Sequence, residues 1–253
     1  MIIIKSAREI ELMKKAGYAV GQAFKAIKEK IRPGMTTMDI DTIVEQTFFA
    51  NGCTSAEKGY YDYPANACVS VNEELVHGIP SNRKFLKEGD IVSVDLVANY
   101  KGYMADACRT FIVGKPSPEA ARLVKITKEA FSVGLTQVKV GNSIGDISHA
   151  IQTFVEQNGY NVAREYTGHG IGAHMHEDPS IPNFGKAGTG PIIKSGMTLC
   201  IEPMVLSGKK DLRVLPDGWT AVSKDKKLTA HYENTVVVTD DGYEIITMYE
   251  GEE

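Results

Sequence analysis

The sequence predicts an α+β domain built from two related halves, and three observations carry that prediction. Apolar residues recur at helical spacing early in each half, strand-like stretches follow them, and short segments of the first half return in the second at one fixed offset. The chain has 253 residues, of which 43% are hydrophobic and 24% charged, enough for one sizeable core in an ordinary globular protein. Residues 1–253 are therefore read as a single domain, with halves of roughly 1–115 and 116–253.

In chain order, residues 7–30 put Ile10, Met13, Ala16, Val20, Phe24 and Ile27 on one helical stripe, closed by Arg32-Pro33-Gly34. Thr37 is a fitting N-cap for a second helix with Ile40, Ile43, Val44 and Phe48 inward, stopping near Asn51-Gly52. A loop rich in Tyr and Pro leads to a short strand at 67–71. From Gly89 to Val113 the pattern is a hairpin, with Asn99-Tyr100-Lys101-Gly102 supplying the turn. Ser117-Pro118 opens a third helix running to about Gln137, because Pro suits the first helical position. A fourth begins near Ser143 and ends at Asn158-Gly159; beyond residue 160 short strands and glycine-rich turns dominate.

The repeat binds the halves together. Gly34 to Ile40 matches Gly141 to Ile147, Asn51-Gly52 matches Asn158-Gly159, and Gly89 to Asp95 matches Gly196 to Glu202, all at an offset of 107 residues. Two long copies suggest a pseudo-twofold domain with a central site, since short tandem arrays need three copies or more. The register makes Asp95 and Glu202 equivalent, each an acid inside an apolar strand. A buried acid needs compensation from a metal ion or an arginine, and the equivalence tips the reading toward metal.

Further candidate ligands follow. His169 stands among the glycines of Thr167 to Gly172, where the backbone can approach a partner closely, although a tight surface turn would also explain it. Glu233 lies at the mouth of a very apolar strand, where capping or a salt bridge is the alternative. Asp95, Asp106, His169, Glu202 and Glu233 together form an oxygen-rich set able to hold two divalent ions, among Mn(II), Fe(II), Co(II) and Zn(II), and unlike the closed cysteine–histidine cages of structural zinc. His77 and His176 are candidate substrate-facing groups. His149, His174 and His231 have neutral explanations and stay outside the set.

Tyr60 to Pro64, Val71 to Pro80, the Asp95/Asp106 pair, Thr167 to Gly172, Ile201 to Met204 and Tyr232-Glu233 resemble the type I methionine aminopeptidases of the peptidase M24 family, in order and over almost the whole chain. The resemblance implies a pita-bread fold, with antiparallel strands curved around a dinuclear centre and helices outside. It implies that Asp95 chelates one ion, Asp106 and Glu233 bridge both, and His169 and Glu202 complete the other. The implied substrate is a nascent chain starting with methionine and a small second residue, attacked at the methionine carbonyl by water activated at that centre. Glu202 would move protons, His176 would stabilise the oxyanion and His77 would contact the scissile amide, so these three are the implied catalytic residues. Tyr60, Tyr63, Cys68, Met175 and Trp219 would line the methionine pocket with His77 and His176, though core packing also explains the first five.

Four departures stand out. Glu57 replaces a small apolar or thiol residue near the pocket, Asn234 replaces a histidine common after the last ligand, and Ala107 and Cys108 replace hydroxyl residues that would support Asp106. None removes a ligand. The alternatives are a proline-directed aminopeptidase or prolidase, which usually carries a separate N-terminal domain, and a metal-free binding module on the same fold, which would be expected to lose ligands.

Bulk properties exclude other classes. A net charge of -4 gives no nucleic-acid footprint. Four cysteines without C-x-x-C spacing fit reduced thiols in a cytosol, and Met1 to Ile4 is too short for a signal or a membrane span. The expected setting is the cytoplasm, as a monomer, with nascent N-termini as partners, transient association with the ribosome, and neither nucleic acid nor membrane.

Overall fold

Each helix begins where a side chain can satisfy the unpaired N–H groups of its first turn. The computed structural model describes residues 1–252 and contains helices α1 (Ala7–Lys30), α2 (Thr37–Ala50), α3 (Pro118–Leu135) and α4 (Ile144–Gln157). Ser6 and Glu9 form a capping box on α1, and Ser117 caps α3 with Pro118 in its first turn. The cap of α2 is Thr36 rather than Thr37. Thr36 is extended, and the Asp39 carboxylate returns to its backbone N–H at 2.7 Å. Asp146 does the same for Ser143 at 2.7 Å, opening α4. The third helix stops at Leu135, two residues short of the expected Gln137.

These caps carry the repeat into three dimensions. The helices α2 and α4 have 14 residues each, at the same offset as the sequence matches. Thr36 bridges Phe85, and Ser143 bridges Ile192, again at that offset.

The hairpin pairs Ile91–Tyr100 with Tyr103–Ile112 over its whole length. Its turn is only Lys101-Gly102, both with positive φ (52° and 88°), the backbone twist that two-residue hairpins prefer. The other edge of Ile91–Tyr100 pairs with Cys68–Val71 and, near its end, with Thr54–Ser55. In the second half a five-stranded antiparallel sheet runs in the order Gly242–Ile245, Asn234–Thr239, Thr198–Ile201, Thr167–Gly170, Glu177–Pro182. A reciprocal backbone pair joins the two sheets: Glu233 N–H donates to the Cys108 carbonyl at 3.0 Å and Cys108 N–H to the Glu233 carbonyl at 3.4 Å.

Two apolar clusters cover the outer faces. One joins the inward residues of α1 and α2 to the hairpin, and the other joins α3 and α4 to the second sheet. All four cysteines are buried and free. Among the described residues no helix is long and apolar enough to cross a membrane.

Candidate metal centre and substrate pocket

Strand alternation decides where the first two acids point. Asp95 stands opposite Cys108 and Val97 opposite Asp106. Residues two apart on a strand share a face, so Asp95 and Asp106 are diagonal neighbours on one side of the hairpin. That side looks into a cavity of about 190 Å³ lined by residues of both halves. Thr235 clamps the Asp106 backbone from the second sheet: its hydroxyl donates to the Asp106 carbonyl at 2.8 Å and accepts the Asp106 N–H at 2.9 Å.

The second half delivers the rest at strand ends. Glu202 follows Thr198–Ile201, Glu233 precedes Asn234–Thr239, and His169 lies within Thr167–Gly170. The glycines beside His169 are required by neighbouring backbone. A Cβ on Gly168 would meet the Cys200 carbonyl at 2.4 Å, and one on Gly170 the Asp178 carbonyl at 2.2 Å. His169 Nδ1 donates to the Gly170 carbonyl at 2.9 Å, which leaves the Nε2 lone pair facing 3.7 Å from Asp106 Oδ2 and 3.6 Å from Glu202 Oε1. These separations are too long for hydrogen bonds. They suit donors spread around a common ion, which at metal–ligand distances of about 2.1 Å lie roughly 3–3.6 Å apart.

Asp106, His169, Cys200 and Glu233 each offer a donor atom within 4.8 Å of the others, and Glu202, His231 and Glu233 form a second such set. Asp95 Oδ1, Asp106 Oδ1 and Glu233 Oε1 are buried without any hydrogen-bond partner. Orphaned carboxylate oxygens in an apolar interior are costly unless a cation takes them. The residues present therefore fit divalent cations, with neutral imidazole and carboxylate donors.

The electrostatics agree. Burial, then the charge of their neighbours, pushes the Asp106, Glu202 and Glu233 carboxyls well above the usual carboxylate range, and burial raises Asp95 to about 7. Burial, reinforced by His176, lowers His169 to about 3, so its imidazole is neutral and able to donate a lone pair. Burial also keeps the Cys200 thiol protonated, well above its ordinary range.

Beside the acids lies an apolar and soft-walled recess. The Tyr63 hydroxyl donates to the carbonyls of Ala67 (3.1 Å) and Gly78 (3.0 Å), and its ring meets Trp219 edge-on at 5.0 Å. Cys68 stands opposite Asp95 in the sheet. His176 Nδ1 lies 2.9 Å from the Tyr60 hydroxyl, and its ring packs 4.3 Å from that of His169. His77 adopts φ 60°, a left-handed conformation, with its ring edge-on to Tyr166 and Trp219. The structure brings all 12 candidate ligand, catalytic and pocket residues to the wall of this one cavity.

Other residues here escaped the sequence. His231, set aside there, lies in the cavity wall, 1% exposed. It stands two residues before Glu233. Arg109 is buried behind the cavity between the rings of Phe24 and Tyr232, pairs with Glu252, and donates to the Glu233 carbonyl at 2.5 Å and to Asn234 Oδ1 at 2.7 Å. Asn234 thus faces the arginine and Thr247 rather than the cavity. Thr235 holds the Asp106 backbone, while Asp106 Oδ1 has no hydrogen-bond partner, so the carboxylate lacks the support that hydroxyl residues at 107 and 108 would offer. Glu57 points into the cavity with Oε2 unpartnered, and burial followed by the charge of Asp95 raises its carboxyl.

Comparison with known proteins agrees with this architecture. Residues 11–240 match the model of metallopeptidase family M24. The chain is 48% identical to a methionine aminopeptidase of Clostridium perfringens, over 98% of this chain and 99% of that one. A crystal structure of methionine aminopeptidase from Thermotoga maritima superposes with a TM-score of 0.97 at 48% identity, covering 98% of this chain and 100% of the other. Prolidase from Pyrococcus furiosus superposes at 0.79 with 26% identity, covering 98% of this chain but 66% of that one. The fold is the pita-bread fold these proteins share, and the chain belongs to metallopeptidase family M24.

Proposed function

We propose that this protein removes the N-terminal methionine from nascent proteins and peptides whose second residue is small. The observation that carries the reading is the convergence of five metal-type donors, four of them buried, and a soft, aromatic recess on one cavity. Full-length likeness to methionine aminopeptidases at 48% identity supports the substrate class. Likeness to the prolidase is lower and covers about two thirds of that enzyme.

Asp95, Asp106, His169, Glu202 and Glu233 would hold two divalent cations, whose charge offsets the four carboxylates. When bound, such a pair supplies Lewis acidity, making water nucleophilic near neutral pH and polarising a carbonyl. Mn(II), Fe(II), Co(II) and Zn(II) all suit the donor set, and availability selects among them.

The remaining groups position the substrate. Tyr63, Cys68, Met175 and Trp219 offer aromatic and sulfur surface to a thioether, which gains from sulfur–aromatic contact. His77, fixed in its left-handed conformation, is directed at the scissile amide. With the Tyr60 hydroxyl as donor to His176 Nδ1, 2.9 Å away, the ring proton would lie on Nε2, available to the oxyanion that develops at the methionine carbonyl. Glu202, a carboxylate of the donor set in the cavity wall, would take a proton from the attacking water and pass it to the leaving amine. A substrate met as it emerges in synthesis implies work in the cytoplasm, as a monomer in transient contact with the ribosome.

The test is a choice of substrates. Metal-free protein is reconstituted with Mn(II), Co(II) or Fe(II) and offered Met-Ala-Ser, an X-Pro dipeptide, and a peptide with proline second and a first residue other than methionine. Release of methionine from the first alone is expected. Cleavage of the proline substrates alone would overturn the reading.

A further inference from the structure

His231 has no place in the five-ligand set, yet its surroundings copy those of His169. Its Nε2 lies 3.7 Å from Glu202 Oε2 and 3.6 Å from Glu233 Oε2. His169 Nε2 lies 3.6 Å from the other Glu202 oxygen, Oε1, and 3.7 Å from Asp106 Oδ2. Two imidazoles thus flank one carboxylate, each aimed between two acids at the same separation.

Hydrogen bonding does not account for this. Both distances exceed the range of an N–H···O bond, and neither His231 nitrogen has any hydrogen-bond partner although the residue is 1% exposed. Nor does backbone demand explain the side chain. The main chain of His231 is engaged on its own account, with its N–H donating to Thr110 Oγ1 at 3.0 Å and its carbonyl accepting from that hydroxyl at 2.8 Å. A fully buried, unpartnered imidazole aimed between two carboxylates has the donor chemistry of a ligand.

We propose that His231 is a direct ligand of the cation centre, completing a second three-donor set with Glu202 Oε2 and Glu233 Oε2 and giving the centre two imidazoles where the sequence pattern supplies one. This rests on the reading of the cavity as a divalent-cation centre. Added imidazole shifts preference away from Mn(II), which oxygen ligands suit, toward Fe(II), Co(II) and Zn(II). His231 is the weaker of the two nitrogen donors, because its Nδ1 lacks the carbonyl partner that orients His169.

Proton NMR of the Co(II)-loaded protein tests this directly, since each ligating imidazole contributes one exchangeable, far-shifted ring N–H signal. Two such signals are expected from the unmodified chain, one of them absent in His231→Gln. Calorimetric titration of that variant should show Co(II) affinity reduced about tenfold or more, with a smaller loss for Mn(II). A single shifted signal, from His169, would overturn the role of His231 and leave the cation centre standing. No shifted signal would overturn both. The signal count in the unmodified protein decides the matter even where the variant folds poorly.

Discussion

Arg109 holds the most consequential interaction outside the cavity, and its removal tests how the site is supported. Its guanidinium and the Glu252 carboxylate are only 6% and 8% exposed at the side chain. The guanidinium also donates to the carbonyls of Glu233 (2.5 Å) and Cys108 (3.0 Å) and to Asn234 Oδ1 (2.7 Å). Arg109→Ala strands a buried carboxylate and several acceptors at once. Breaking a buried pair from one side costs about 3–5 kcal/mol, much of a typical domain's stability. Arg109→Lys keeps the charge but cannot span Glu252, the Glu233 carbonyl and Asn234 together, so a loss of about 2–3 kcal/mol is expected. Adding Glu252→Gln to the alanine variant removes the stranded charge and should recover about 1–2 kcal/mol. The assay is urea unfolding at pH 7 with a chelator present, so that cation binding adds nothing to the folded state. An alanine variant within about 1 kcal/mol of the parent, or a lysine variant equal to it, would refute the reasoning.

Other perturbations reach the cavity itself. Asp106→Asn should lower turnover at least tenfold to a hundredfold while leaving the circular dichroism spectrum unchanged, because Thr235 clamps the backbone of residue 106 and not its carboxylate; near-normal turnover would refute the dinuclear assignment. His77 folds neutral, lowered to about 4 by burial and then by His176, so between pH 6.5 and 4 the unfolded chain binds a proton that the folded chain refuses. Stability relative to His77→Gln should therefore be complete above pH 6.5 and fall by about 3 kcal/mol as the pH drops to 4, and a difference that does not change with pH would contradict it. Glu57 has the opposite sign: its folded carboxyl holds a proton above the pH at which the unfolded chain releases one. Glu57→Gln should then stabilise the metal-free protein by an amount that grows as pH rises above 4.5, and urea melts at pH 5 and pH 8 with equal effects would rule this out.

What the sequence made legible follows from what each signal encodes. Helical stripes and caps are local, so α1 to α4 could be read within a residue or two at most ends. The offset of 107 residues recovered the relation of the halves, because Thr36 with Asp39 and Ser143 with Asp146 repeat the same capping chemistry. Asp95 and Asp106 announced themselves as acids in apolar strands. Arg109 did not, because its partners, Glu252 and the Glu233 carbonyl, are more than 120 residues away and no local pattern records them. His231 is illegible for a different reason. Its spacing from Glu233 places both on one face of an extended chain, but an isolated histidine in a strand carries no mark of what it faces until the second sheet is folded against the hairpin. Asn234, next after Glu233, points the other way, which is why its identity matters to Arg109 rather than to the cavity.

The carboxylate–imidazole cluster is built to bind divalent cations, and one titration tests this most directly. Metal-free protein prepared anaerobically can be titrated calorimetrically with Mn(II) near pH 7, in buffers of different ionisation enthalpy. Carboxyls that hold protons in the empty cluster, Asp95 among them with its pKa raised to about 7, must give them up when cations bind. The expected result is two ions per chain with net proton release, both lost on neutralising Asp106. Absence of binding, or binding without proton release, would contradict it.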